Sequence, residues 1–471
     1  MSNQLSQAGI IGLAVMGANL ARNFASHGIG TSVFNRTFAR TESFLKEFGS
    51  EQLQGFEQLE DFISSLEKPR RIFLMVQAGA AVDEVLGKIY GLLDPGDYII
   101  DCGNSYYEDT ERRQIQAAAQ KLNFIGMGIS GGEEGALKGP SLMPGMTAPD
   151  WQHFEKVLET IAARDFQGGA CVTPVGAGGA GHFVKMVHNG IEYAILQLIA
   201  EIYDYNRKVA GLGADAIAGI FTKAAGGKAA SFLTEIAAAV LRHKDGGTEK
   251  PLVDLILDRA SQKGTGGWTA IESFKFGAPA EMIGEAVSAR TISSLKELRL
   301  GLSKNPFLAS GNLDRTVSGA EPDWEKVLLA GMIVAFTQGF QLIKLASEQK
   351  DWQVNPAELA RIWQGGCIIR AGILSQLQQA WLKTPSMSVL LEDTAMQQIL
   401  KSAFPELQKF VVKSASAGLA VPASASAFNY LLAISDPNAP ANLIQGLRDL
   451  FGAHTFERTD QKGIFHEDWQ N

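Results

Sequence analysis

Ala8-Gly-Ile-Ile-Gly12-Leu13-Ala14-Val15-Met16-Gly17-Ala-Asn-Leu-Ala21 joins a short apolar run to a glycine turn and then to a segment with helical character. Strand, tight turn and helix in that order predict the first βα unit of a doubly wound sheet. The glycine spacing is G-x-A-x-x-G, with Ala14 where a middle glycine is usual. Such a turn can receive a pyrophosphate on the amides from Gly12 to Gly17, at the N-terminus of the following helix. By itself it could equally be a turn that serves packing alone.

The surrounding pattern supports the sheet. Thr31-Ser-Val-Phe34, Arg71 to Val76, Tyr98-Ile-Ile-Asp101 and Phe124-Ile-Gly-Met127 are further strand-like runs, separated by helical stretches. Ala170-Cys-Val-Thr-Pro174 adds another β-like piece. From about Lys185 to Ser435 the texture changes to long amphipathic, alanine-rich segments with few strand signals. The expected fold is therefore α/β at the N-terminus, a Rossmann-like doubly wound sheet, followed by a large all-α domain. A C-terminal tail follows the Pro-rich break Asp436-Pro-Asn-Ala-Pro440. The expected boundaries are 1–178, 179–435 and 436–471.

Composition narrows the class. The 471 residues are 46% hydrophobic and 20% charged, with a formal net charge of -8. That describes a folded globular protein, with no polybasic surface for nucleic acid or membrane. Cys102, Cys171 and Cys367 are widely spaced, as reduced cytoplasmic thiols would be, and none need be catalytic. The apolar stretch Val327 to Leu345 carries Thr337, Gln338, Gln341 and Lys344, so it is expected to be a buried helix, not a membrane span. The histidines and acids show no metal-ligand spacing such as HExxH.

The second strand ends in Asn35-Arg36-Thr37. A site selective for NAD would place an acid here to hold the ribose 2′-hydroxyl. Arg36 instead suits a 2′-phosphate, with Asn35 and Thr37 adding hydrogen bonds, so NADP is the expected cofactor. Val76-Gln77-Ala78-Gly79 follows the Arg71 strand and is expected to pass the nicotinamide or phosphates.

Gly176-Ala-Gly-Gly-Ala-Gly181 leads into His182-Phe-Val-Lys185-Met-Val-His188-Asn189-Gly-Ile-Glu192-Tyr193. At helical periodicity Lys185, His188, Asn189 and Glu192 share one face. An isolated Lys/Glu pair would be a solvated stripe, but an amine, an imidazole, an amide and a carboxylate behind a glycine-rich run point to a catalytic helix. Two more segments are expected to be polar, glycine-bearing loops suited to ligands: Asp101-Cys-Gly-Asn104-Ser105, and Gly128-Ile-Ser130-Gly131-Gly132 continuing to Gly145.

Taken together and in this order, these segments resemble the β-hydroxyacid dehydrogenase superfamily, and within it the decarboxylating 6-phosphogluconate dehydrogenase family. The resemblance runs nearly the whole length: it includes Asp258 to Trp268, Val287 to Arg290, Arg361 to Arg370 and the tail Arg448 to Arg458. It implies NADP-dependent oxidative decarboxylation of 6-phospho-D-gluconate to D-ribulose 5-phosphate. Lys185 would act as base and then acid, and Glu192 would protonate the enediol, with no metal. By the same resemblance Asn104, Ser130, Gly131, Gly132, His188 and Asn189 hold the substrate carboxylate and hydroxyls. Lys263 and Arg290 match phosphate-binding positions, with Tyr193 and Arg448 assisting, and His454 matches a substrate contact. Asn104 is expected to face the cofactor as well. The resemblance further implies a homodimer whose tail reaches into the partner. Gln77 departs from the lysine that many relatives carry there. The competing expectations are a 3-hydroxyacid dehydrogenase that does not decarboxylate, which leaves the C-terminal half unexplained, and a non-catalytic NADP-binding protein.

Overall fold

The computed structural model describes residues 5–262, 264–305, 315 and 317–469. Seven strands form one sheet: β1 Ala8–Ile11, β2 Thr31–Phe34, β3 Leu53–Phe56, β4 Arg71–Leu74, β5 Tyr98–Asp101, β6 Asn123–Ser130 and β7 Ser141–Pro144. Their order is β3-β2-β1-β4-β5-β6-β7. The first six run parallel, and β7 is antiparallel to β6. Successive residues of each central strand enter opposite cores. Ile10, Phe73 and Ile100 pack on one face, and Ile11, Leu74 and Ile99 on the other. Burial on both faces explains why these strands read as continuous apolar runs.

Two strands depart from the sequence expectation. β3 is four residues at the sheet edge, and its Leu-Gln-Gly-Phe sequence carries almost no strand signal. β7 lies inside the segment expected to be a polar glycine loop. That segment is instead the end of β6, a helix Gly132–Lys138, and β7. Ala170 to Pro174, in contrast, forms only isolated bridges to Arg164 and Leu142. Its proline removes a ladder donor.

Beyond the sheet the chain is helical. The helix Ala180–Lys208 packs against Trp324–Lys350. A side chain at Gly331 or Gly339 would overlap Leu198 or Ile191, so these glycines set the close approach of the two helices. Trp324–Lys350 is long and apolar enough to cross a membrane, but its residues are buried in the protein core.

The chain divides into two compact units, one ending at Ala427 and one beginning at Phe428. In the smaller unit the helix Ala441–Gly452 ends at Ala453, which has positive φ. The buried Asp449 carboxylate organises the segment that follows. It accepts hydrogen bonds from Thr455 N at 2.8 Å, Glu467 N at 3.1 Å, Trp469 Nε1 at 2.8 Å and His466 Nδ1 at 2.9 Å. These donors hold its carboxyl well below the usual carboxylate range, although burial opposes them.

Candidate active site

The site is built at the carboxyl ends of the parallel strands. After β1 the chain turns at Gly12, whose φ is +102° and whose missing side chain would overlap the Met75 carbonyl. Gly17 has no room for a methyl group against the Gly12 carbonyl, so the helix Val15–Ser26 starts hard against the turn. No side chain caps that helix at Ala14. Val15, a large apolar residue, is 53% exposed there. An uncapped helix N-terminus behind a glycine turn, with an exposed apolar flank, fits a dinucleotide.

Asn35 Oδ1 accepts the Leu13 amide at 3.1 Å, and Arg40 Nε donates to the Leu13 carbonyl at 2.7 Å. Asn35 therefore fastens the end of β2 to the turn, and Arg36 and Thr37 lie exposed beside it. Past β4, Val76 and Ala78 are half-buried and Gln77 is exposed.

The Asn104 loop is held by a group that the sequence reading did not single out. Asp101, fully buried at the end of β5, accepts the Gly103 amide at 3.0 Å and the Ser105 hydroxyl at 2.6 Å. Buried Arg113 places Nη1 3.6 Å from Asp101, donates to the Gly79 carbonyl at 2.9 Å, and pairs with Asp83 at 2.8 Å. One guanidinium thus ties the Val76–Gly79 turn to the loop that displays Asn104. Just beyond, Tyr106 and Tyr107 donate to the buried Glu272 carboxylate, Tyr107 at 2.9 Å. Lys275 pairs with the same group at 2.7 Å.

The glycine run before Lys185 meets backbone. Gly181 is pressed against Gly126, Met143 and Gly145 of β6 and its neighbours, and Gly128 lies against the Lys185 side-chain stem. Close packing of helix on strand places Lys185 in the interior, 6% exposed. Burial pulls its pKa below the ordinary lysine value, while Glu192 acts in the opposite direction. The lowering comes from desolvation, with no cation among the described residues contributing: His188, 3.2 Å away, is held neutral by burial and then by Lys185 itself. Glu192, two turns along, is half-buried, and burial raises its pKa against the pull of Lys185 and Arg290.

His188 is the centre of the cluster. Its Nε2 lies 3.0 Å from Ser130 Oγ and 2.8 Å from Cys367 Sγ. Its Nδ1 lies 3.2 Å from Asn189 Oδ1. Cys367, a thiol that need not be catalytic on the sequence alone, belongs to this cluster. Its loop crosses the Gly131 turn, where a side chain would meet the Gly366 carbonyl. Only the Cys367 segment's place in a matching motif could have flagged it, because it is 179 residues from His188. Burial pushes its thiol up to about 11.

Arg290 stacks on Tyr193, its guanidinium carbon 3.4 Å from the ring centre. The structure therefore brings Ser130, Gly131, Lys185, His188 and Asn189 together, with Glu192 and Tyr193 farther along the same helix and Arg290, from the helix Glu281–Ser294, stacked on Tyr193. Asn104 lies on the loop after β5, and Gly132 is the first residue of the helix Gly132–Lys138. Lys263 lies outside the described residues. Arg448 and His454 belong to the smaller unit, where both are exposed; Arg448 Nη1 donates to Gln445 Oε1 at 3.1 Å.

Residues 7–176 match the family model for the NAD binding domain of 6-phosphogluconate dehydrogenase, and residues 181–469 match the model for its C-terminal domain. The chain is 44% identical over 474 residues to the NADP(+)-dependent, decarboxylating 6-phosphogluconate dehydrogenase of Bacillus subtilis (strain 168), covering all of both chains. Against the Lactococcus lactis enzyme it is 44% identical over 462 residues, 98% of each. The solved Plasmodium falciparum 6-phosphogluconate dehydrogenase, studied in its apo form and with NADP+ or 6-phosphogluconate, superposes with a TM-score of 0.93 at 38% identity. That match covers 98% of this chain and 100% of that one. With both halves matched and the similarity running end to end, this chain belongs to the 6-phosphogluconate dehydrogenase family.

Proposed function

We propose that this protein oxidatively decarboxylates 6-phospho-D-gluconate to D-ribulose 5-phosphate and carbon dioxide with reduction of NADP. The observation that carries the reading is the buried Lys185 amine. Its pKa is lowered by desolvation, and it shares a helix face with a half-buried Glu192 whose pKa is raised. A base and an acid thus stand ready on the same helix with their ordinary preferences shifted towards neutrality.

Bound NADP supplies the hydride acceptor. Gly12, Leu13, Ala14, Val15, Met16 and Gly17 would hold its pyrophosphate, Asn35, Arg36 and Thr37 its 2′-phosphate side, and Val76, Gln77, Ala78 and Asn104 the rest. The free amine of Lys185 removes the proton of the substrate's C3 hydroxyl. As an ammonium it then returns a proton to the new carbonyl oxygen while carbon dioxide leaves. Protonated Glu192 delivers a proton to C1 of the enediol. Ser130, Gly131, Gly132, His188 and Asn189 orient the carboxylate and hydroxyls. Arg290, with Lys263 and Tyr193, meets the phosphate, which a chain of net charge -8 can bind only with local cations.

The protein is further proposed to act as a cytoplasmic homodimer with exchanged tails, so that Arg448 and His454 complete the partner's site. In the smaller unit Leu443, Leu447, Leu450 and Phe451 lie exposed at helical spacing, a stripe suited to burial against another chain. The free, buried cysteines support a reducing compartment. The proposed domain limits are 1–178, 179–435 and 436–471; the change-over of the family matches between residues 176 and 181 supports the first of these boundaries. Sedimentation of the full chain beside a chain ending at residue 435 tests the exchange. A dimer that turns over normally without the tail would refute it.

A further inference from the structure

The environment of His188 determines which of its ring nitrogens carries the proton. Ser130 Oγ already accepts the Ile368 amide at 3.3 Å, and Cys367 Sγ accepts the Ile369 amide. Each group also carries a proton that it can donate, and His188 Nε2 lies 3.0 Å from the hydroxyl and 2.8 Å from the thiol. On the other side, Asn189 Oδ1 is an acceptor 3.2 Å from Nδ1. Donation to Nε2 and acceptance from Nδ1 both suit the same tautomer, with Nε2 bare and Nδ1 protonated. Trp363, edge-on to the imidazole at 5.6 Å, packs beside the ring.

We propose that Cys367 is a positioning residue for the reaction: its thiol, with the Ser130 hydroxyl, donates to His188 Nε2, keeps the proton on Nδ1, and thereby presents an N–H shared between Asn189 Oδ1 and the Lys185 nitrogen. An ammonium at Lys185 would set N–H against N–H across 3.2 Å, whereas the free amine accepts. The ring therefore favours the form of Lys185 that can act as a base. The other groups bearing on this centre are Glu192, on the same helix, and Cys367 itself, from the loop beyond Trp363; Arg290, from the helix Glu281–Ser294, bears on Glu192. The inference rests on Lys185 being the base, as read above.

The test combines Cys367→Ala, which removes the donor, with Cys367→Ser, which keeps one. In Cys367→Ala the acid limb of kcat/KM for 6-phosphogluconate should move to higher pH by about half a unit, roughly a threefold loss on that limb, and Cys367→Ser should restore it. Nitrogen NMR of histidine-labelled protein, with His188 assigned by its absence in His188→Asn, needs neither substrate nor cofactor. It should show a protonated Nδ1 and a bare Nε2 in the wild type. A bare Nδ1 in the wild type overturns the proposal even if Cys367→Ala fails to fold. So does a Cys367→Ala profile superimposable on wild type, or a Cys367→Ser profile displaced as far as that of Cys367→Ala. If the protein does not turn over 6-phosphogluconate at all, the function reading fails, and the NMR result still decides the tautomer.

Discussion

Arg290 lies flat on the ring of Tyr193, with its guanidinium carbon 3.4 Å from the ring centre. The stack holds a planar cation that has no ion-pair partner among the described residues, and that suits it to a phosphate. Arg290→Ala should raise KM for 6-phosphogluconate by roughly tenfold or more and change kcat less, as expected for loss of a charge-assisted hydrogen bond. Tyr193→Phe keeps the ring and loses only a hydroxyl, so its effect should be smaller than that of Tyr193→Leu. Steady-state kinetics decide this, and equal effects of the two substitutions would remove the stack from the account.

Arg36 should determine the choice of nucleotide. Titration calorimetry of Arg36→Ala should show NADP weakened by roughly ten- to a hundredfold, the worth of a charged hydrogen-bond pair, with NAD little altered. Comparable weakening of both nucleotides would mean that the side chain does not meet the 2′-phosphate.

Gly17 should tolerate no side chain, because even a methyl group overlaps the Gly12 carbonyl. Gly17→Ala is expected to lower Tm and abolish NADP binding. Gly87, within the helix Ala80–Ile89, has open space around it, so Gly87→Ala should stabilise the fold by about 0.5–1 kcal/mol. Thermal melts with and without NADP check both, and an unperturbed Gly17→Ala would contradict the tight turn.

Stability should fall on mild acidification. His182 and His188 have folded pKa values below 6.5, chiefly through burial. Below that pH the unfolded chain binds protons that the folded chain refuses, so stability declines as pH drops; above it neither histidine adds a slope. Glu192 and Glu201, with raised pKa values, act in the opposite sense as pH falls towards 4.5. The test is therefore a difference. Denaturant unfolding of His182→Gln between neutrality and about pH 5 should show a slope shallower than wild type by up to about 1.4 kcal/mol per pH unit. Parallel curves would refute the neutral buried state of His182.

How much of this was legible in the sequence depended on the range of the cause. The Lys185 helix and the turn at Gly12 are local patterns, with periodicity and glycine spacing written in consecutive residues. β3 and β7 were not legible, because four-residue strands such as Leu-Gln-Gly-Phe are made by their neighbours in the sheet and not by their own propensity. The same holds for the clamp of Arg113 on Asp83 and Asp101, and for Cys367 at His188, since no local signal joins residues so far apart. The lowered pKa of Lys185 was demanded by the chemistry, but its cause, burial against Gly128 and not a nearby cation, needed the packing.

Lys185 is proposed to drive both oxidation and decarboxylation, and carbon-1-labelled 6-phosphogluconate tests that when NADPH and labelled carbon dioxide are measured together. Wild type should release one labelled carbon dioxide per NADPH, and Lys185→Ala should lose both while still binding NADP. NADPH formed without carbon dioxide, or Lys185→Ala turning over near the wild-type rate, would contradict the account.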